Sequence, residues 1–322
     1  MTQVWRLHVR PDEAREGTDP TRFCIERGVL GVAWGGLDSE VPGAMTAEQY
    51  AQLARSEGYG TGKLHGWTAV FNALADRMET NDLCWTRDAT GVYYLGRVDG
   101  GVAHCALHTG GWHYYAHDPQ FKNSDLNQGR SCRWVRVGSC ASVAGVIRNQ
   151  FIRGQAVRKI GDSTAVVFSQ FIYNRLADDF KYELSRGVTS LWALLSPDDS
   201  EDLVGAWLQL TRDYYVVPST SKVGTPICEY ELVHRRTGER AFVQVKNGSV
   251  DLNQDDYTDL LREGNVFLLT TGGSYTGNSQ DRLFCLKPEE LAEFARDNRG
   301  KLPANIEKWL ELIDCLPAGR YP

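Results

Sequence analysis

The stretch Cys228–Gly248, CEYELVHRRTGERAFVQVKNG, decides how the second half of the chain folds. Residues Cys228–His234 and Ala241–Asn247 each alternate between apolar and polar side chains, and Thr237-Gly238 between them provides a tight turn. Two alternating runs joined by a short Gly-containing turn predict the antiparallel strands of a β-hairpin.

A hairpin that closes symmetrically about Thr237-Gly238 places Glu231 opposite Gln244 and Glu229 opposite Lys246. Because side chains repeat every second residue along a strand, all four would point from one face. Two carboxylates, an amide oxygen and an ammonium group would then converge, in the outline of a metal site. The alternative is a surface ladder of cross-strand polar pairs, each worth only about 0.2–1 kcal/mol.

The hairpin is predicted to lie within the order helix, strand, strand, strand, helix, strand. Ser196 followed by Pro197 and two acids predicts a helix start, with the helix running to about Arg212. The apolar run Asn265–Thr271 predicts a strand that is buried on both faces. The remaining predictions are a strand at Tyr214–Pro218 and helices at Asp255–Arg262, Glu289–Asn298 and Ile306–Leu312.

With this order of elements, the second half resembles the PD-(D/E)xK nuclease superfamily. It is most similar to the Mrr-type restriction endonucleases, in which the second acid of the motif is often glutamine. The matching residues are Gln244-Val245-Lys246, with Glu231 in the preceding strand, and the resemblance covers roughly residues 196–273. An upstream helix often adds an acid in that group, and Glu201, or else Asp202, stands at that place.

The resemblance implies Mg²⁺-dependent hydrolysis of DNA. The implied catalytic residues are Glu231, Gln244, Lys246, Glu229 and Glu201. Glu231 and the side-chain oxygen of Gln244 suit Mg²⁺, which proteins hold through few oxygens, and Lys246 is placed to orient water or to stabilise charge on phosphorus. The Asp-Gly-Gly segment common before the motif is absent, which leaves the choice between Glu229 and Glu231 open.

The first half is predicted to be rich in strands. The expected strands are Val4–Val9, a strand and turn ending near Leu37, Asp82–Arg87, Gly91–Val98, Val102–Leu107, Trp112–His117, Ser131–Val137 and Ala156–Ile160. The expected helices are Thr46–Glu57, Trp67–Met78 and Ala165–Leu176.

The segment NDLCWTR, from Asn81 to Arg87, carries a second resemblance. A polar turn precedes a strand with Trp85, and the next strand runs through Tyr94 to Gly96. This is similar to the PUA-like superfamily, particularly EVE and YTH-type domains, which often show Gly-Asp, two hydrophobic residues and Trp at this step. Asn81 stands where the glycine is usual. The resemblance covers about residues 1–160 and implies a small barrel of the kind that reads modified bases.

A reader of this kind extrudes the base and stacks it between flat apolar side chains, with polar groups at its edge. The candidate walls are Trp34, Trp85, Trp112 and Tyr94, with Tyr93 as an alternative, and the candidate edge-reading groups are Asp125 and Asn127. For each tryptophan the alternative is a place in the core of the barrel.

Length and composition set the remaining expectations. A chain of 322 residues suits two domains, here predicted as residues 1–165, a linker or helix at 166–190, and 191–322. The net charge of −6 means that contacts with nucleic acid must be made by local basic clusters, for each of which an ordinary solvated face is the alternative. The three candidate clusters are Arg130, Arg133 and Arg136; Arg148, Arg153, Arg158 and Lys159; and Arg235, Arg236 and Arg240. Eight scattered cysteines without a CxxC pair, no apparent signal peptide and no apolar run of about 20 residues favour a cytoplasmic protein without a membrane segment.

Together these features predict an α+β or α/β chain, with an N-terminal PUA-like β-barrel domain followed by a restriction-endonuclease-like mixed-sheet domain. The predicted function is that of a modification-dependent DNA endonuclease of the type IV restriction kind. Its partner would be DNA carrying a modified base, and cleavage of both strands implies a homodimer, at least on DNA. The alternative is a non-catalytic nucleic-acid-binding protein with a degenerate nuclease-like domain and DNA or RNA as its target.

Overall fold

A computed structural model describes residues 2–9, 19–38, 45–64, 66–99, 111–115, 121, 124, 126–152, 156–184, 190–220 and 227–315. The chain forms two units, Met1–Ser185 (unit 1) and Arg186–Pro322 (unit 2). The division falls inside the segment 166–190 that the sequence suggests as a linker. In the described part, no helix is long and apolar enough to cross a membrane.

Unit 1 is built on one curled, half-barrel sheet. Its strands are β1 (Val4–Leu7), β2 (Val29–Val32), β3 (Leu83–Arg87), β4 (Tyr93–Val98), β5 (Trp112–Tyr114), β6 (Gln128–Gly138) and β7 (Val157–Ile160). They follow the order β2-β6-β4-β3-β1-β7, with β5 also paired to β6. Strand β6 pairs with β2 and β5 over its first residues and with β4 over its last, so one long strand carries the sheet around its bend.

Five helices accompany this sheet in the described residues: α1 (Pro20–Arg27), α2 (Ala47–Ser56), α3 (Gly66–Asn72), α4 (Gly145–Arg148) and α5 (Ser163–Leu176). Thr46 forms the expected N-cap of α2, in a capping box with Gln49. The stretch around α1 was expected to hold only a strand and a turn, and the structure corrects this. Asp19 accepts hydrogen bonds from the first backbone amides of α1, and Gly28 ends that helix with φ 65°.

The turn before β3 explains why Asn81 can replace the glycine that is usual before Asp82 in PUA-like domains. Asn81 has φ 68°, in the left-handed region that glycine and asparagine adopt most easily. The next residue, Asp82, is buried, and its carboxylate accepts hydrogen bonds from Gln3 N (2.8 Å), Trp5 Nε1 (2.9 Å) and Glu79 N (3.1 Å). This pair therefore connects the start of β3 to β1. The predicted strand Val102–Leu107 lies outside the described residues.

Unit 2 contains a mixed five-stranded sheet in the order β14-β12-β10-β9-β8. Its strands are β8 (Tyr214–Val216), β9 (Tyr230–His234), β10 (Arg240–Lys246), β12 (Gly264–Thr270) and β14 (Leu283–Cys285), and a small second sheet pairs β11 (Leu252–Asn253) with β13 (Tyr275–Thr276). The helices are α6 (Pro197–Thr211), α7 (Pro288–Asp297) and α8 (Ala304–Cys315). The prediction of a helix at Asp255–Arg262 is wrong, because two short 3₁₀ turns occupy that stretch.

The hairpin β9–β10 forms, but its register differs from the prediction by two residues. Phe242, not Gln244, lies opposite Glu231. The reason is the turn: Gly238 has φ 70° and closes a four-residue loop between His234 and Glu239, rather than occupying the centre of a two-residue turn. A shift of two residues keeps every side chain on its original face, so the polar face survives with different neighbours.

Candidate functional site

Three side chains of the hairpin meet at the end of β10 in unit 2. Glu229 N donates to Val243 O at 2.7 Å, which brings Glu229 beside Gln244. The Nζ of Lys246 lies 3.1 Å from Glu229 Oε1. The amide nitrogen of Gln244 donates to the same oxygen atom, and Gln244 itself is buried. One carboxylate therefore receives both an amide and an ammonium donor.

Helix α6 carries a second carboxylate, that of Glu201, whose charge acts on this cluster. Ser196 and Asp199 form a capping box that fixes the start of the helix, and the hydroxyl of Tyr230 on β9 donates to Glu201 O at 2.8 Å. Burial, reinforced by the negative charge of Glu229, raises the pKa of Glu201 to about 7. Glu201 therefore interacts electrostatically with Glu229 and Lys246, and also with Asp198 and Asp202 on its own helix, where Asp202 is exposed.

Glu231 occupies a different position from the one expected of a metal ligand. Its carboxylate pairs with Arg240 at 2.7 Å, and Arg240 also contacts Glu263 at 2.6 Å. It lies opposite Phe242. Glu231 is therefore two residues nearer to the turn than Glu229, which is the residue beside Gln244. The predicted pairing of Glu231 with Gln244 is therefore wrong, and Glu229 lies beside Gln244 in its place.

The donor set suits a small hard cation. Two carboxylates and an amide oxygen are ligands of the type that Mg²⁺ prefers, with water and substrate phosphate completing its shell. Burial is the main cause of the raised pKa of Glu201, and the negative charge of Glu229 adds to it; a bound cation would offset this second contribution. Within the described ranges, no group of three or more histidine, cysteine, aspartate or glutamate side chains is placed to hold a metal ion. Gln244 would therefore have to supply the third protein ligand.

In unit 1, three of the predicted base-pocket residues come together around the start of β6. Trp112 Nε1 donates to Gln128 Oε1 at 3.0 Å, and Gln128 Nε2 donates to Trp34 O at 2.8 Å. The side-chain amide of Asn127 donates to Ala33 O. Trp34 is 38% exposed, which leaves part of its ring open to solvent.

Tyrosine hydroxyls hold the loop that carries Trp34. Tyr50 donates to Gly35 O at 2.9 Å and Tyr59 donates to Gly36 O at 2.7 Å, while Tyr114 accepts from Leu37 N at 2.9 Å. A Cβ atom at Gly35 would lie 1.9 Å from the Tyr50 hydroxyl, so only glycine fits there. Sequence reasoning missed these tyrosines and Gln128; the Gly35-Gly36 pair directly after Trp34 was the available signal.

The other predicted pocket residues lie elsewhere. Trp85 is wholly buried, donates from Nε1 to Ser169 Oγ at 2.8 Å and stacks on Phe168 of α5. Its ring therefore belongs to the core and has no exposed surface for a base, which corrects the prediction. Tyr94 lies on β4 and donates to Asp88 Oδ2 at 3.3 Å, outside the Trp34 cluster. Asp125 lies outside the described residues.

Most arginines of the three predicted basic clusters are engaged within the protein. Arg235 and Arg236 contact Asp213, and Arg240 contacts two glutamates. Arg130 is buried against backbone carbonyls, and Arg133 pairs with Asp179. The exposed cations among the described members of these clusters include Arg136, Arg158 and Lys159.

No protein-family model, curated protein or solved structure matches this chain.

Proposed function

We propose that the chain is a modification-dependent DNA endonuclease, in which unit 2 is the nuclease domain of the PD-(D/E)xK type and unit 1 is a PUA-like reader of a modified base. The convergence of Glu229, Gln244 and Lys246 is the observation that carries the proposal, and the charge of Glu201 acts on the same group. A hairpin flanked by a capped helix and a buried parallel strand is the arrangement on which the sequence resemblance rests.

In this proposal Glu229 and the amide oxygen of Gln244 hold Mg²⁺, with Glu201 at the same cluster. When bound, the cation supplies a polarised phosphoryl oxygen and a water of lowered pKa. Lys246, whose side chain is 42% exposed, would direct its ammonium group at the charge that develops on the phosphoryl oxygens. Glu229, not Glu231, is the ligand that we assign, because Glu231 is paired with Arg240.

The reading function is assigned to the Trp34 loop of unit 1. The partly exposed ring of Trp34 offers a stacking surface, and Asn127 lies beside it on the neighbouring segment. Hydrogen bonds from the buried Tyr50 and the partly buried Tyr59 hold the loop in one conformation, so a flipped base would meet a preformed wall. The homodimer on DNA remains part of this proposal. The described cysteines are all free, which supports a reducing cytoplasm as its setting.

The experiment is cleavage of matched duplexes, with and without modified bases, in the presence of Mg²⁺. Lys246→Ala should reduce the cleavage rate by about 100-fold or more. Lys287→Ala is the matched control, since Lys287 is an exposed lysine paired with Glu290 at 3.1 Å in the same unit. Trp34→Ala should abolish the preference for modified duplexes. Wild-type rates in the Lys246→Ala protein would refute the assigned role of that lysine.

One observation favours the non-catalytic alternative. A single oxygen of Glu229 is already contacted by Gln244 and Lys246, so hydrogen bonds and an ion pair compete with any cation. A protein that only binds nucleic acid could keep the cluster for stability alone. Calorimetric titration with Mg²⁺ separates the two functions: heat of binding that is lost in Glu229→Gln supports the nuclease, and no binding in the wild type supports the binding protein.

A further inference from the structure

Asn247, the residue after Lys246, joins three elements of unit 2 through its side chain. Its Nδ2 donates to Leu195 O at 3.1 Å and to Ser200 Oγ at 3.4 Å, and its Oδ1 accepts from Thr271 Oγ1 at 3.0 Å. Successive side chains of a strand point to opposite faces. Asn247 contacts α6 and the turn before it, whereas its neighbour Lys246 contacts Glu229.

The partners of Asn247 are themselves held in place. Thr271 N donates to Lys246 O at 3.0 Å, and Thr271 Oγ1 accepts from Gly248 N at 2.7 Å. Ser200 is fully buried, and its hydroxyl donates to Ser196 O at 2.9 Å. We call Asn247, Ser200 and Thr271 the clasp.

Two residues of the clasp are sequence neighbours of residues of the site. Ser200 immediately precedes Glu201 on α6, and Asn247 immediately follows Lys246 on β10. Sliding of α6 along the sheet would stretch the hydrogen bond from Asn247 to Ser200 Oγ, and Ser200 is the residue next to Glu201. The spacing between the helix acid and the hairpin residues is therefore set at this point.

We infer that Asn247 is a positioning residue, which holds the helix bearing Glu201 in register with the strand bearing Gln244 and Lys246. The inference rests on the proposed nuclease function and adds a residue to it. Positioning of this kind has a large effect on rate, because a displacement of about 1 Å can cost about 100-fold.

The chemistry of the clasp selects the variants. An amide is required at residue 247, since its nitrogen donates to Leu195 O and Ser200 Oγ and its oxygen accepts from Thr271. Asn247→Ala removes all three bonds. Thr271→Val removes the hydroxyl while keeping the shape of the side chain, and Thr271→Ser restores the hydroxyl.

Asn265 supplies the matched control. It is an asparagine at the opposite end of β12, where Nδ2 donates to Tyr214 Oη at 2.9 Å and Oδ1 accepts from Arg282 Nε at 3.3 Å. Asn265→Ala removes a comparable pair of side-chain hydrogen bonds in the same unit. It leaves the clasp untouched.

The first measurement is steady-state cleavage of a modified duplex across a Mg²⁺ titration. Asn247→Ala and Thr271→Val should lower kcat by about 10- to 100-fold and raise the Mg²⁺ concentration for half-maximal rate. Thr271→Ser and Asn265→Ala should stay within about threefold of the wild type. The double variant Asn247→Ala with Thr271→Val should be no slower than the slower single variant, because both act through one contact.

The second measurement is hydrogen exchange of the full chain without nucleic acid or Mg²⁺. Asn247→Ala should speed exchange in peptides covering residues 196–203 and 246–249, and Asn265→Ala should not. Unchanged exchange in these peptides would overturn the clasp, whether or not the wild type cleaves DNA. Faster exchange with wild-type kcat would overturn its positioning role. If the wild type cleaves nothing and exchange is faster in Asn247→Ala, the nuclease proposal is refuted and the clasp has a structural role only.

Discussion

Replacing Glu201 with glutamine should stabilise the protein at alkaline pH. Burial on α6 and the neighbouring charge of Glu229 raise the pKa of Glu201 to about 7 from its ordinary value of 4.5. A carboxyl group whose pKa is higher in the folded state binds its proton more tightly there. Its favourable contribution is complete below about pH 4.5 and is lost as the pH rises through 7. Glutamine has the same shape and no charge to bury, so it avoids this loss.

The size of the effect follows from the difference in pKa. The rise from 4.5 to about 7, at 1.36 kcal/mol per pKa unit, gives an upper value of about 3.4 kcal/mol. Glu201 is only half-buried and solvent screens its charge, so we expect about 1–2 kcal/mol at pH 8.5. At pH 5.0 the wild-type carboxyl is largely protonated, and the difference should fall below about 0.5 kcal/mol.

The assay is urea denaturation of both proteins at pH 5.0 and 8.5 without divalent cations, followed by tryptophan fluorescence. Glu293→Gln is the control, because Glu293 is an exposed glutamate on α7 of the same unit. This control should change the free energy of unfolding by less than about 0.5 kcal/mol at either pH. A Glu201→Gln protein that matches the wild type at pH 8.5, or is less stable there, would refute the reasoning.

Three further predictions test the register, the loop and the buried carboxylate. Glu229→Gln should reduce cleavage by about 100-fold or more, whereas Glu231→Gln should stay within about threefold in the same assay; the reverse order would contradict the observed pairing. Gly35→Ala should lower the stability of unit 1 by about 2–4 kcal/mol in thermal denaturation, because φ is 92° and the added Cβ would meet the Tyr50 hydroxyl; an unchanged melting temperature would count against it. Asp82→Ala should cost about 2–4 kcal/mol in urea denaturation, because the buried indole N–H of Trp5 and two partly buried backbone amides lose their acceptor; a loss under about 1 kcal/mol would show that those donors find other partners.

Local signals were sufficient to locate the elements that carry the candidate site. The capping residues Ser196 and Pro197 gave the start of α6, and the apolar run at Asn265–Thr271 gave β12 to within one residue. Both signals act within a single turn or a single strand. A neighbouring element is not needed to recognise them.

The tryptophans could not be sorted in the same way. Trp34 and Trp85 both stand in apolar, strand-like surroundings in the sequence. Trp85 is in the core because α5, which begins more than seventy residues later in the chain, places Phe168 and Ser169 against its ring. Trp34 stays partly exposed in a loop whose next two residues, Gly35 and Gly36, accept hydrogen bonds from tyrosine hydroxyls. Only the tertiary contacts distinguish the two.

The hairpin shows how a small error in a turn changes a functional assignment. Gly238 suits the centre of a two-residue turn and the last position of a longer loop equally well, since both require a positive φ. The longer loop moves the pairing by two residues and brings Glu229 to Gln244. Glu231 then falls within reach of Arg240, so one carboxylate of the pair is neutralised by a guanidinium group. The other carboxylate lies beside Lys246 and the acid on α6. Because the polar face is unchanged while its partners differ, the site that we propose depends on Glu229, and comparing the two glutamates is the most direct test of the hairpin's chemistry.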